Sequence, residues 1–307
     1  MANTQAIAPS HTPWQTYGIL IVGLLATSIA AIFIRLAQGT EIPSLVIAAS
    51  RLTIAALVIT PITLHRYQDH VRQLTRRDFA LISTAGLFLA IHFITWISSL
   101  EFTSVLISSV LVSTSPLWIA LLEQIFLKSR LSRFVFIGLL AAVAGGIIIS
   151  LPVGDHAVSL GSSPLMGSVL SLAGAAGFAV YLVIGRGIRP KLPLLPYIWL
   201  VYGSAAITAL LVVFITRTQV AGYEPQGYFW VLAVALVPQL IGHSSFNYAV
   251  RYISATFVGI AGQLEPAASA VMAILAFQEI PRPVQVVGSI VMLFGVILAI
   301  IGQQEPR

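Results

Sequence analysis

The sequence predicts an all-α membrane protein, with ten transmembrane helices arranged as two inverted five-helix repeats. Three observations lead there: the composition, the placement of the basic residues, and an internal repeat at a fixed offset. Of 307 residues, 58% are hydrophobic and only 8% are charged, with a mean hydropathy of +0.95. A soluble domain carries about 25% charged residues, because its surface must face water. The solvent of this chain must therefore be lipid. One span needs roughly 20 apolar residues plus a turn, so the length is used up by about ten spans and leaves no room for an extramembrane catalytic domain.

Taken in order, the apolar runs fall near 17–37, 43–64, 79–99, 104–127, 133–151, 164–185, 194–216, 227–250, 254–278 and 283–302. Several connections are very short, such as Gln38 to Ile42, Leu100 to Thr103 and Pro281 to Arg282, and these force antiparallel neighbours. The stretch from Met1 to Gln15 has no Lys or Arg, so it lacks the basic region of a cleavable signal peptide. The first span is expected to remain in place.

Charge fixes the expected direction. With the N-terminus in the cytoplasm, the inner segments hold Arg66, Arg72, Arg76, Arg77, Lys128, Arg130, Arg133, Arg186, Arg189, Lys191, Arg251 and Arg307, twelve in all. The outer segments hold three, Arg35, Arg217 and Arg282, while Arg51 lies inside a span. Cytoplasmic loops carry the excess of Lys and Arg, so both termini are expected inside a plasma or inner membrane. The same pattern explains the net charge of +6 without nucleic acid, which is not expected as a partner.

A shift of 150 aligns Ser104 with Ser254, Pro116 with Pro266, Gly138 with Gly288 and Gly145 with Gly295. Near the start of each half, a shift of 151 aligns Gly23 with Gly174 and Arg35 with Arg186. The expected organisation is a cytoplasmic tail (1–16), a first repeat (17–151), an extracytoplasmic linker (152–163), a second repeat (164–302) and a C-terminal tail (303–307). A unit of five helices is odd, so the second copy enters the membrane from the opposite face. Inverted repeats mark secondary transporters, whose two halves rock about a central site.

The segment QLEPAASAVMAILAFQEIPRPVQVVGSIVMLFGVILAI (263–300) contains Glu265, Pro266, Glu279, Gly288 and Gly295 in an EP…E…G…G order. With the five-plus-five repeat and a proline in the fourth helix of each half, the chain resembles the drug/metabolite transporter superfamily, in its EamA-type branch. The first half departs from the pattern: Ser129 stands where the family usually has Glu, and Glu123, six residues earlier, is out of register. The resemblance runs from about 14 to 302 and implies export or facilitated movement of small organic solutes, such as amino acids, nucleobases or drugs.

Polar side chains inside hydrocarbon are expensive and tend to face a cavity or the bundle interior. Glu265 precedes Pro266, whose missing N–H frees a carbonyl in the preceding turn. A carboxyl there can hold a cation, an ammonium group or a proton. His92 and Trp96 share one face of the third span, and Gln239, His243 and Asn247 one face of the eighth. With Ser113 and Ser115 beside Pro116, Tyr181 on the sixth span and Gln263, they form the candidate substrate-binding set. Glu265, His92 and His243 are the candidates for proton coupling, and Arg51 for charge pairing. Interhelical hydrogen bonding is the structural alternative for each, and Trp96 could also anchor the outer interface.

No P-loop, HExxH or GxSxG is present, no cysteine exists, and the six His are scattered. No catalytic residue, metal or cofactor is therefore expected. The expected function is secondary transport of a small polar or zwitterionic metabolite, amino-acid export being one form, with protons as a candidate coupling ion. A non-transporting sensor or assembly protein on the same fold, or a carrier of drugs or lipophilic cations, is the alternative. Lipid is the surrounding partner, and a monomer or homodimer the expected state.

Overall fold

The computed structural model of the chain describes residues 14–127, 133–150 and 162–304, apart from 254, 256, 257, 259, 260, 263 and 279. Of the residues named above, Gln263, Glu279 and Ser129 lie outside that set, as do Lys128, Arg130, Ser254 and Arg307. Among the described residues there is no strand, and the long helices form ten rods. They are α1 (Trp14–Gln38), α2 (Ser44–Arg66), α3 (Arg76–Phe102), α4 (Val105–Val112 and Ser115–Leu127) and α5 (Arg133–Ser150). The second half supplies α6 (Pro164–Ile188), α7 (Leu194–Ile215), α8 (Pro225–Ala249), α9 (Leu264–Phe277) and α10 (Pro283–Gln304). Six of them, α1, α2, α3, α6, α7 and α8, are by themselves long and apolar enough to cross a bilayer. Large apolar side chains such as Leu25, Leu57, Phe214 and Leu275 stand on the outside of the bundle, where only lipid would tolerate so many.

The packing maps onto itself when the halves are exchanged. Helix α3 packs on α6 as α8 packs on α1; α3 on α7 as α8 on α2; α4 on α6 as α9 on α1. The pairs α2–α7, α4–α9 and α5–α10 join equivalent helices of the two halves. Five crossings separate each helix from its mate, so mates run in opposite directions.

Two tight crossings carry this arrangement. A Cβ on Gly174 of α6 would sit 3.2 Å from the Trp96 Cβ and 3.4 Å from the His92 carbonyl oxygen of α3. Its mate at offset 151, Gly23 of α1, lies still closer to α8: a Cβ there would meet the Ser245 Cβ at 2.5 Å and the Gly242 carbonyl oxygen at 3.2 Å. Gly242 is in turn the mate of His92 at offset 150. Small residues let backbones approach where lipid supplies no hydrophobic drive between helices.

The ends of the bundle are tied in a matching way. Gln38, at the end of α1, donates to the Ile97 carbonyl of α3 at 3.0 Å and to the Ser44 hydroxyl at 2.8 Å. Arg189, just past α6, donates to the Asn247 carbonyl of α8 at 2.8 Å and also to the Leu192 carbonyl. Ile97 and Asn247 are again 150 apart. Arg35 adds a bond from its guanidinium to the Thr103 carbonyl at 2.7 Å.

Two spans expected to be continuous are not. The first span breaks at Ile29, between Trp14–Ser28 and Ala30–Gln38, and the fourth at Ser113 and Thr114. In both, hydroxyls compete for backbone carbonyls: Thr27 and Ser28 both bond back to the Leu24 oxygen, at 3.1 and 2.7 Å. Leu replacing Gly174 would improve helix propensity yet crowd α3. We expect Gly174→Leu to lose about 1–3 kcal/mol of stability, seen as a lower thermal midpoint in detergent. Gly187→Ala, where nothing lies within 4 Å, should keep or raise the midpoint, since Ala is the better helix former.

Candidate functional site

The interrupted helices meet at one place. In α4 the break precedes Pro116, and the proline has no N–H to offer the Val112 carbonyl four residues back. The Ser115 hydroxyl takes that carbonyl instead, at 2.7 Å, and Thr114 takes the Leu111 carbonyl at 2.7 Å. Just before α9 the chain turns at Gly262, whose carbonyl accepts from the Glu265 amide at 3.0 Å. Val112 and Gly262 are mates at offset 150, as are Ser115 and Glu265. The α9 chain is tied to the break in α1 by Ser269, which donates to the Ser28 carbonyl at 2.7 Å. In α8 a π-helical stretch, Ala235–His243, contains Pro238. Such widened turns are frequent at functional sites.

Between these four helices and the unbroken α3 and α6 lies a cavity of about 560 Å³, its opening included. Thr27 and Ala30 flank the α1 break on its wall; Val112, Ser113, Ser115 and Pro116 come from α4; Gly262 and Glu265 from α9. Rings cover the other side. His92 and Trp96 of α3 stack with centroids 5.8 Å apart, and His92 lies 5.2 Å from Phe178 of α6 and 6.0 Å from His243 of α8. The His92 ring is oriented by its Nδ1, 2.8 Å from the Gly174 carbonyl oxygen. A carbonyl only accepts, so Nδ1 carries the proton and, in the neutral ring, Nε2 is an acceptor. The Trp96 indole N–H and the His243 Nδ1 are buried with no hydrogen-bond partner among the described residues.

Of the residues singled out from the sequence, six share this cavity: His92, Trp96, Ser113, Ser115, His243 and Glu265. Trp96 is 4% exposed, so it is a wall residue and not an interface anchor. Three others lie elsewhere. Gln239 turns to α2, where its Oε1 accepts from the Arg51 Nε at 3.0 Å. Asn247 sits nearer the end of α8 and donates to the His243 carbonyl at 2.9 Å. Tyr181 is enclosed one turn beyond Phe178, its ring 5.7 Å from that ring. Residues at i, i+4 and i+8 share a face, but four residues advance the helix by about 6 Å, so each meets different neighbours. Arg51 has a neutral amide, not a carboxylate, as its partner among the described residues. Sequence reasoning missed Thr27 and Phe246 on the wall. The polar pair Thr27–Ser28 in mid-span was the available signal for Thr27.

A model of the EamA-like transporter family matches residues 15–151 and again 165–301. The chain belongs to that family. This EamA-family transporter is 23% identical over 269 residues to the uncharacterized transporter YxxF of Bacillus subtilis (strain 168), covering 87% of this chain and 84% of YxxF. It is 21% identical over 190 residues to the uncharacterized transporter YdfC of the same strain, covering 62% of this chain and 60% of YdfC, less than two thirds of that protein. A crystal structure of another protein shares the fold with a TM-score of 0.66 at 19% identity, over 95% of this chain and 99% of that one. The EamA-family chain is thus a multi-pass membrane transporter for a small-molecule solute.

Trp96 brings to the cavity both a ring face and an indole N–H with no partner among the described residues. We expect Trp96→Ala to weaken solute binding by about tenfold or more, since buried aromatic anchors are worth roughly 2 kcal/mol when truncated. A solute titration followed by thermal shift checks this, and unchanged affinity would return Trp96 to packing.

Proposed function

We propose that this transporter moves a small polar or zwitterionic metabolite by alternating access, with residues 17–151 and 164–302 as the two rocking halves. One observation carries the reading: every interrupted helix among the described residues reaches the same cavity, and a carboxyl, Glu265, stands at one of the breaks. Irregular backbone at membrane depth is tolerated where it lines a cavity or is buried in protein. Broken helices at the junction of two repeats are also how transporters form midplane sites. Glu265 opposite the rings His92, Trp96 and Phe178 suits a solute with an ammonium or amide group to bond and an apolar part to stack. In this reading Glu265 exchanges a proton with the solute during the cycle, and the chain catalyses no bond chemistry. The ring-lined wall also favours, as a second reading, a lipophilic cation held over aromatic faces beside the carboxyl.

The identifying experiment is a panel of amino acids, nucleobases and organic cations, screened by thermal stabilisation, because binding to the native state raises apparent stability. Counterflow in proteoliposomes then follows. Glu265→Gln is expected to keep the fold and to lose coupled transport or its pH dependence. Wild-type uptake across pH in that variant would remove the coupling role.

The orientation has its own test. The chain contains no cysteine, so single cysteines can be placed at will. With both termini cytoplasmic, Thr218→Cys should react with an impermeant maleimide on intact cells, and His70→Cys only after permeabilisation. The reverse labelling would invert the topology.

A further inference from the structure

Arg51 has no exposed surface, and the mechanism proposed above gives it no role. Its Nε donates to the Gln239 Oε1 at 3.0 Å, and its Cζ lies 3.8 Å from the centre of the Phe93 ring. Nη1 and Nη2 have no hydrogen-bond partner among the described residues. A guanidinium has only donors, so Gln239 must turn its oxygen to Arg51, and its own Nε2 is left without a partner as well. One helical turn further along α8, the His243 Nδ1 is unpartnered too. The unpaired donors of Arg51 and Gln239 therefore gather beside a ring nitrogen of His243 that is also without a partner among the described residues.

Glu265 acts on this guanidinium only across space, with no ion pair or hydrogen bond between them among the described residues. Enclosing a charge so weakly paired is unfavourable, and apolar residues would pack the site more stably. The other half of the molecule does so. At offset 150, Val201 of α7 stands in the place of Arg51 and Leu89 of α3 in the place of Gln239, and both are fully buried. The framework therefore does not need the polar pair. The pair also adjoins the cavity: Phe93, on which Arg51 stacks, meets the His243 ring at 4.9 Å, and His243 is a wall residue.

From this juxtaposition we infer that Arg51 and Gln239, with His243 on the cavity side, form a subsite for a small monovalent anion, either the carboxylate of the transported solute or chloride. The planar fork of Arg51 presents two parallel donors of the kind that hold a carboxylate. The inference rests on the solute-transport reading and deepens it: a zwitterion with its ammonium at Glu265 would have its carboxylate held from the α2–α8 side.

The test follows thermal unfolding of the purified full chain at matched ionic strength. One arm compares potassium chloride with potassium isethionate, and the other compares a panel of L-amino acids with their methyl esters, which keep the ammonium and lose the anion. Stabilisation by an acid over its ester identifies the solute carboxylate; stabilisation by chloride over isethionate identifies a co-ion. Either supports the subsite. Arg51→Gln and Gln239→Leu should each weaken the acting anion at least tenfold. The double variant Arg51→Val with Gln239→Leu, which copies the α3–α7 packing, should stay folded and lose the response. A wild-type protein indifferent to chloride, and as well stabilised by esters as by acids, overturns the subsite without recourse to any variant. If those ligands are weakened by Trp96→Ala, the solute reading survives that result. If no panel member of any charge stabilises the protein, both readings fall.

Discussion

A backbone carbonyl released inside hydrocarbon must find a donor, because no water is there to take it. The architecture of this transporter depends on how that requirement is met at its interrupted helices. In α4 the Ser115 and Thr114 hydroxyls absorb the carbonyls around the break before Pro116. At α1 the donor comes from another helix, Ser269 of α9. Local donors make the α4 break self-sufficient. A borrowed donor makes the α1 break conditional on α9 staying where it is, which couples two of the walls of the cavity.

Pseudo-symmetry supplies the frame, and the departures from it supply the chemistry. The crossings at Gly174 and Gly23 hold α3 against α6 and α8 against α1 at matching depths. Within that frame the mates differ: Ser115 against Glu265, His92 against Gly242, Arg51 against Val201. The cavity wall thus carries a carboxyl from one half and a hydroxyl from the other. Equal halves would bind equal ligand groups on both sides; unequal halves can orient a molecule that has two different ends.

The parts legible in the sequence were those written in composition and period. Ten spans, the repeat and its offset follow from hydropathy and from proline and glycine positions, because lipid acts uniformly on every span. The cavity was partly legible. His92, Trp96 and Glu265 are polar or amphipathic groups in apolar runs, and they do face one space. Gln239 and Asn247 have the same signature but face other neighbours, since a stripe along a helix passes several partners. The α1 break at Ile29 and the π-helical turn around Pro238 were not legible: their causes are hydroxyl back-bonding and tertiary packing, which residue spacing does not encode. The amide partner of Arg51 lies 188 residues away, beyond any local pattern.

The two ends of the bundle are fastened by equivalent residues of different chemistry. Gln38 holds the Ile97 carbonyl with a neutral amide, while Arg189 holds the Asn247 carbonyl with a guanidinium that also leans on the Tyr197 ring at 5.6 Å. Neutral hydrogen bonds contribute about 0.5–1.5 kcal/mol net, and those to charged groups about 1.5–3 kcal/mol. The Gln38 end has its own guanidinium as well, Arg35 on the Thr103 carbonyl at 2.7 Å, so each end joins a charged donor to a backbone acceptor. Each acceptor is a main-chain carbonyl, so both fastenings depend on where the helices lie and not on the side chains that Ile97, Asn247 and Thr103 carry.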